Sequence, residues 1–227
     1  MGIGVLVIAE SGSGKSTSIR KLNPDETAII NIAGKPLPFK GWKKMYTVLD
    51  KDNPNGNMIN VSSGAGVYKA MKHISDKMPH IKNLIIDDWQ YMSSFEYFDK
   101  ANEKGYEKFT QIAANLAQVA KLPKDLREDL LCFFLTHSEE STDINGRRRV
   151  KAKTVGKMID NALTLEGLFS IVLFAKINKE EDGSLIYGFE TQNNGENTCK
   201  SPMGMFDEEF IPNDLQIVRS SIIDYEN

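Results

Sequence analysis

Residues 3–17 constrain this chain more than any other stretch. An apolar run, Ile3 to Ile8, meets a glycine- and serine-rich turn, Glu10-Ser11-Gly12-Ser13-Gly14, and Lys15-Ser16-Thr17 then open what reads as a helix. Strand, glycine loop, Lys-Ser and helix in that order make a phosphate-binding loop. Glycines at 12 and 14 let backbone N–H groups curl round a phosphate chain, and the helix start adds its dipole. Lys15 reaches the β- and γ-phosphates, and the Ser16 hydroxyl can ligate magnesium. The ligand expected for Glu10 to Thr17 is a nucleoside triphosphate with Mg²⁺. Position 9, where the motif has its first glycine, carries Ala9; its methyl falls where the strand enters the loop, which keeps the strand-before, helix-after context intact.

Further along, Asn83-Leu84-Ile85-Ile86-Asp87-Asp88 is a buried apolar strand that ends in acid. A parallel strand delivers its last side chain to the carboxyl edge of its sheet, where a phosphate loop also sits. Asp87 is the expected magnesium carboxylate, acting through water, and Asp88 the neighbour placed to orient an attacking water. Leu130 to Leu135 is another continuous apolar run and ends in Thr136-His137, a polar tip at the position of a γ-phosphate sensor beside the acidic strand.

Composition narrows the partners. The 227 residues are 41% hydrophobic and 26% charged with a formal net charge of −3, which is an ordinary globular composition. It argues against a protein coating nucleic acid with its whole surface, while leaving room for a local basic groove. The cysteines, Cys132 and Cys199, lack metal spacing and read as reduced thiols. No stretch is long and apolar enough for a bilayer, so no membrane role and a cytoplasmic location are expected.

The remaining chain fills in the fold. Thr27 to Ile32 reads as a short buried strand, Met45 to Leu49 as a further strand, and residues 64–78 as an amphipathic helix with Val67, Ala70, Met71, Ile74 and Met78 inward. Residues 89–121 read as helical, with the aromatics Tyr91, Phe95, Tyr97, Phe98, Tyr106 and Phe109 expected mainly in the core. Ser141 to Val155 reads as a hairpin turned at Asn145-Gly146. Its second arm packs Arg147, Arg148, Arg149, Lys151 and Lys153 into seven residues. Gly156 to Leu165 resembles a short helix. Phe169 to Ile177 and Leu185 to Thr191 form an antiparallel pair on the far side of the sheet, and residues 206–227 cover it. One α/β domain over residues 1–227 is expected, a mainly parallel central sheet extended by antiparallel C-terminal strands.

The combination of Ala9 to Ser16, Gly34-Lys35-Pro36-Leu37-Pro38-Phe39, Ile85-Ile86-Asp87-Asp88, Thr136-His137 and Cys199-Lys200-Ser201-Pro202 resembles the phage-encoded P-loop NTPases with a RecA-like core. These include minimal recombinases that work with a single-strand-binding protein. The resemblance implies ATP and Mg²⁺ as cofactors, single-stranded DNA as partner, and a homo-oligomer in the host cytoplasm. It puts DNA contact on Arg147, Arg148, Arg149, Lys151 and Lys153, and gives Lys200 a catalytic role across the subunit interface. Such enzymes carry a catalytic glutamate after the second strand, where this chain reads Ala33-Gly34-Lys35, so Asp88 or Glu10 stands in for it.

Two alternatives stay open on the residues themselves. A P-loop kinase of a nucleotide or other small molecule would use residues 147–153 as its lid, and a nucleotide-gated assembly factor would use ATP only to lock an oligomer.

Overall fold

Successive strand residues feed two separate buried layers, which explains why the sequence runs are continuously apolar. Leu6, Ile8, Ile30, Ile86 and Phe134 belong to one layer; Val5, Val7, Ile29, Ile85, Phe133 and Leu135 belong to the other. Side chains alternate across a strand, so a sheet covered on both faces needs apolar residues at every position. The computed structural model describes residues 1–142, 146, 148–154 and 164–227.

The strands are β1 (Ile3–Ala9), β2 (Thr27–Asn31), β3 (Met58–Asn60), β4 (Asn83–Asp87), β5 (Leu131–Thr142), β6 (Arg148–Ala152), β7 (Ile171–Lys179), β8 (Leu185–Glu190) and β9 (Phe210–Pro212). Among the described residues the α-helices are α1 (Trp42–Met45), α2 (Gly64–Lys77), α3 (Gln90–Asp99), α4 (Glu107–Lys121) and α5 (Leu215–Glu226). The sheet runs β3-β2-β4-β5-β1-β7-β8-β9, with β6 paired to β5. From β3 to β7 the pairings are parallel; β6, β8 and β9 join antiparallel. This is the expected α/β architecture, a mainly parallel central sheet extended by antiparallel C-terminal strands. The strand bearing Thr136 and His137 lies between the phosphate-loop strand β1 and the acidic strand β4.

The first layer packs under α2 and α4, with Val67, Met71, Ile74, Ile112 and Leu116 fully buried. Ser63 caps α2, its side chain accepting from Gly66 N, and the buried Glu96 carboxylate accepts from Gly64 N at 2.6 Å, so the helix start has its donors satisfied. The second layer packs under the turn after the phosphate loop and under α5, through Ile19, Leu22, Leu215, Val218 and Ile222. Arg20 donates to the Asn213 carbonyl at 2.9 Å and Lys21 pairs with Asp214 at 2.8 Å, clamping the C-terminal segment onto that turn.

Several expectations are corrected. Residues Met45 to Leu49 are not a regular strand: Trp42–Met45 is a helical turn and only Val48 bridges, to Met58. Asn57 takes over the local backbone groups, donating to the Met45 carbonyl and accepting from Thr47 N, and the strand at this edge is β3. The segment after Lys15 is a six-residue 3-10 helix, Ser16–Lys21, too short to carry much dipole. Of the aromatics of α3 and α4, Tyr91, Phe95 and Tyr97 pack half-buried against the core as expected, whereas Phe98 and Tyr106 are exposed. β8 is not the last strand, because β9 pairs along it. The expected hairpin is present as β5 and β6, whereas Asn145 and the 156–163 part of the expected helix lie outside the described residues.

Candidate nucleotide-binding site

At the carboxyl edge of the parallel strands lies an open cleft of about 670 Å³ whose floor is the loop after β1. Gly12 and Gly14 hold φ of +85° and +91°, left-handed values that an L side chain adopts only at a cost. Gly14 is also confined, since an added Cβ would lie 3.2 Å from the Asn213 side chain. Ser13 closes the turn by donating through N and Oγ to the Glu10 carbonyl. Glu10, Gly12, Gly14, Lys15, Ser16 and Thr17 line the cleft, and Ser11 and Ser13 line an adjoining cavity beside β7. Ala9 is completely buried between Ala175 of β7 and His137 of β5, so the residue that departs from the motif fills core space.

Register aims the acidic strand. Ile85 faces the layer that contains Ile19, and alternation puts Asp87 on that same face at the strand end. Ser16 Oγ accordingly donates to Asp87 Oδ1 at 2.8 Å. A hydroxyl beside a carboxylate is the oxygen donor pair that magnesium uses together with substrate phosphates. No group of three or more acidic, His or Cys side chains able to hold a metal occurs among the described residues. Ser16 and Asp87 therefore fit an ion brought in largely by its nucleotide.

Asp88 breaks the strand. Its φ of +58° is the sole left-handed value among described non-glycine residues, and it turns the chain so that Trp89 N donates back to the Leu135 carbonyl at 2.9 Å. The turn brings the Asp88 carboxylate into the cleft, where three groups engage it. Lys15 Nζ donates to Oδ1 at 2.5 Å, Lys35 Nζ to Oδ2 at 3.0 Å, and His137 Nε2 lies 3.5 Å from Oδ1. Burial by itself would push the Asp88 carboxyl upward, but His137, Lys15 and Lys35 outweigh it and hold the group well below the usual carboxylate range. Lys15 also approaches Asp87 at 3.5 Å.

Thr136 and His137 separate by the same alternation. His137 faces the cleft, edge-on to Tyr91 at 6.1 Å between ring centres. Thr136 is buried on the opposite face, its hydroxyl donating to Gln90 Oε1 at 3.3 Å, and that amide oxygen also accepts from His137 N at 3.1 Å. Lys200 is half-buried beside Val172, exchanging both backbone hydrogen bonds with it, and does not line the cleft of its own chain.

The basic arm starts at the site itself. β5 continues past His137 into the hairpin, and Lys153 N donates to the His137 carbonyl at 2.8 Å. Arg149 is exposed opposite Ser141, Lys151 pairs with Glu139 at 3.0 Å, and Lys153 lines a cavity shared with His137 and Tyr91. Arg147 and the Arg148 side chain lie outside the described residues. The arm is tied down at its outer edge, where Val150 N donates to the Glu196 carbonyl at 2.7 Å.

Lys35, Arg20 and Asn213 also line the cleft; the sequence marks Lys35 only as part of the Gly34 to Phe39 stretch, and Arg20 and Asn213 not as site residues. Lys35 reaches the cleft because strand β2 lies beside β4, so the loop leaving β2 ends next to Asp87 and Asp88.

No protein-family model matches this chain, and no curated protein matches it in sequence. Among solved structures it is similar to a KaiC-like protein from the hyperthermophilic archaeon Pyrococcus horikoshii OT3, with a TM-score of 0.48, 10% identity, and coverage of 83% of this chain and 77% of that one. Strand order and phosphate loop define the fold independently of that likeness.

Proposed function

We propose that this chain binds and hydrolyses ATP with magnesium, as a RecA-core ATPase that acts on single-stranded DNA within a homo-oligomer. The observation that carries the reading is the convergence of the glycine loop, Lys15, Ser16 and Asp87 in one cleft at the strand edge. Loop amides and Lys15 bind the phosphates, Ser16 and Asp87 hold the magnesium, and Asp88 and His137 face the attacking water. When bound, the ion neutralises charge on the phosphate oxygens. The DNA part rests on the basic arm, which leaves the sheet at His137. The resemblance adds the Lys200 contribution from a neighbouring subunit, a single-strand-binding protein as partner, and a setting in phage recombination or replication.

ATP hydrolysis measured with and without single-stranded DNA tests this reading. Turnover that rises with DNA and vanishes in Lys15→Ala supports it; turnover indifferent to DNA overturns the DNA assignment. One observation favours a second reading, a nucleotide-locked assembly factor: a carboxylate engaged as Asp88 is makes a poor proton acceptor. Negligible turnover with an ATP-dependent change in particle size would select it. A hinged kinase lid is disfavoured by the Val150–Glu196 tether.

A further inference from the structure

The loop leaving β2 delivers Lys35 from a fixed base. Asn31 Nδ2 donates to the Lys35 carbonyl at 2.8 Å, and Leu37, two residues on, is buried in the core. From that base the Lys35 side chain runs over the Tyr91 ring, its Nζ 4.7 Å from the ring centre, to Asp88 Oδ2. The two oxygens of Asp88 are thus divided between two ammonium groups, Lys15 on Oδ1 and Lys35 on Oδ2. Asp88 is only 6% exposed. A carboxylate that deep is strongly destabilising once its partner leaves. Lys15 nonetheless has a second claim on its three donors: a phosphate chain entering over the glycine loop would draw its ammonium away from the 2.5 Å contact with Asp88.

We propose that Lys35 takes over the charge of Asp88 when Lys15 moves to the phosphates, making Lys35 a positioning residue that sets how readily Lys15 is released. The inference rests on the nucleotide-binding reading above and adds to it the residue that controls occupancy. Lys35 suits the role because its ammonium is a permanent charge, whereas His137, at 3.5 Å, is charged only when protonated. The 58% exposure of the Lys35 side chain leaves it free to follow small shifts of the carboxylate. The Tyr91 face adds a cation–π contact that keeps the ammonium over the site after the Lys15 bond is gone.

Equilibrium titration with a fluorescent ATP analogue, on wild type, Lys35→Met, Lys35→Arg, Asp88→Asn and the Lys35→Met/Asp88→Asn double variant, tests this. Lys35→Met should weaken binding about fivefold or more, the lower range of coupling between linked sites, and Lys35→Arg should restore most of it. In the Asp88→Asn background the same Met substitution should change affinity by less than about twofold, within ordinary additivity, because no charge is left to neutralise. An equal loss in both backgrounds would mean that Lys35 acts on the phosphates directly and would overturn the proposal, as would wild-type affinity in Lys35→Met. Wild type that fails to bind the analogue would instead overturn the nucleotide-binding reading itself. The Lys35 side chain is more than half exposed, and a thermal melt of each variant confirms that it is folded.

Discussion

Lys15 Nζ lies 2.5 Å from Asp88 Oδ1, so the lysine of the glycine loop is held by an internal anion. Both side chains are nearly inaccessible, Lys15 at 7% and Asp88 at 9% exposure. Lys15→Ala should therefore do two things at once. It should abolish binding of the ATP analogue and lower the stability of the nucleotide-free protein by about 1.5–3 kcal/mol, the range for a hydrogen bond between charged groups. Urea unfolding measures the second effect, and unchanged stability would show that Lys35 and His137 already suffice for Asp88.

The acid limb of the stability curve should carry the signature of Asp88. An unfolded aspartate titrates near about 3.9, and in the folded chain Asp88 is held lower by its three partners. A depressed carboxyl stabilises the fold above the unfolded value and loses that contribution as the pH falls through the folded one. Stability should thus decline from about pH 4 downward, and Asp88→Asn should flatten that decline. Asp129, also lowered, by Lys82 and Arg127, contributes to the same window and remains intact in the variant. Chemical unfolding at a series of acid pH values compares the two slopes.

Magnesium dependence should separate the two acids. Asp87→Asn removes the negative charge beside Ser16 while keeping an amide oxygen, and should raise the magnesium needed for half-maximal hydrolysis by roughly 10–100-fold, the usual effect of losing an outer-sphere metal contact. Asp88→Asn should leave that midpoint nearly in place, since its carboxylate is engaged by Lys15, Lys35 and His137. A magnesium titration of initial rates decides between them.

Two glycines of one loop provide an internal comparison. Gly12→Ala meets no atom within 4 Å and bears only the left-handed backbone cost, about 1–2 kcal/mol. Gly14→Ala bears the same cost and also crowds Asn213. In nucleotide-free protein Gly14→Ala should be the less stable by urea titration; equal losses would mean that Asn213 moves aside freely.

On the basic arm, replacing Arg147, Arg148 and Arg149 by glutamate should abolish binding of single-stranded DNA while leaving ATP-analogue affinity unchanged. A partial version reports on mechanism: neutral replacements should reduce the log–log salt slope by about 2, at roughly 0.7 for each lost phosphate contact. Neutralising Lys151 should matter less than neutralising Arg149, because Lys151 already pairs with Glu139. Fluorescence anisotropy of a labelled oligonucleotide across salt concentrations measures each.

Much of the fold can be read from sequence because continuous apolar runs mark strands covered on both faces, and glycine and proline mark where they stop. β1, β2, β4, β5 and β7 were all visible in that way. β3 was not, because three residues, one of them Asn60, give no periodicity to read. The aromatics of this region were legible only in part: Tyr91, Phe95 and Tyr97 pack against the core, but the fully buried face of α3 is Gln90, Met92, Ser93 and Glu96, which leaves Phe98 exposed. Within the site, Lys15 and Ser16 follow from motif spacing, since neighbours in a motif are neighbours in space, and Asp87 from its place at the end of a buried parallel strand. Lys35 depends on which strand lies beside β4, and Asn213 on where a C-terminal segment lands, so neither is written in local pattern. The opposite facing of Thr136 and His137 was available from alternation alone once their strand was known to lie between β1 and β4.

β5 spans twelve residues, about 40 Å of extended chain, with His137 near its midpoint and neither glycine nor proline anywhere along it. Half of that length is fixed between β4 and β1, and the other half is the inner strand of the basic arm. A beam of this kind has no joint. Load placed on the arm reaches His137 as torsion of the strand instead of being absorbed at a hinge, and the arm's bearing on any partner is set by the twist with which β5 leaves the sheet.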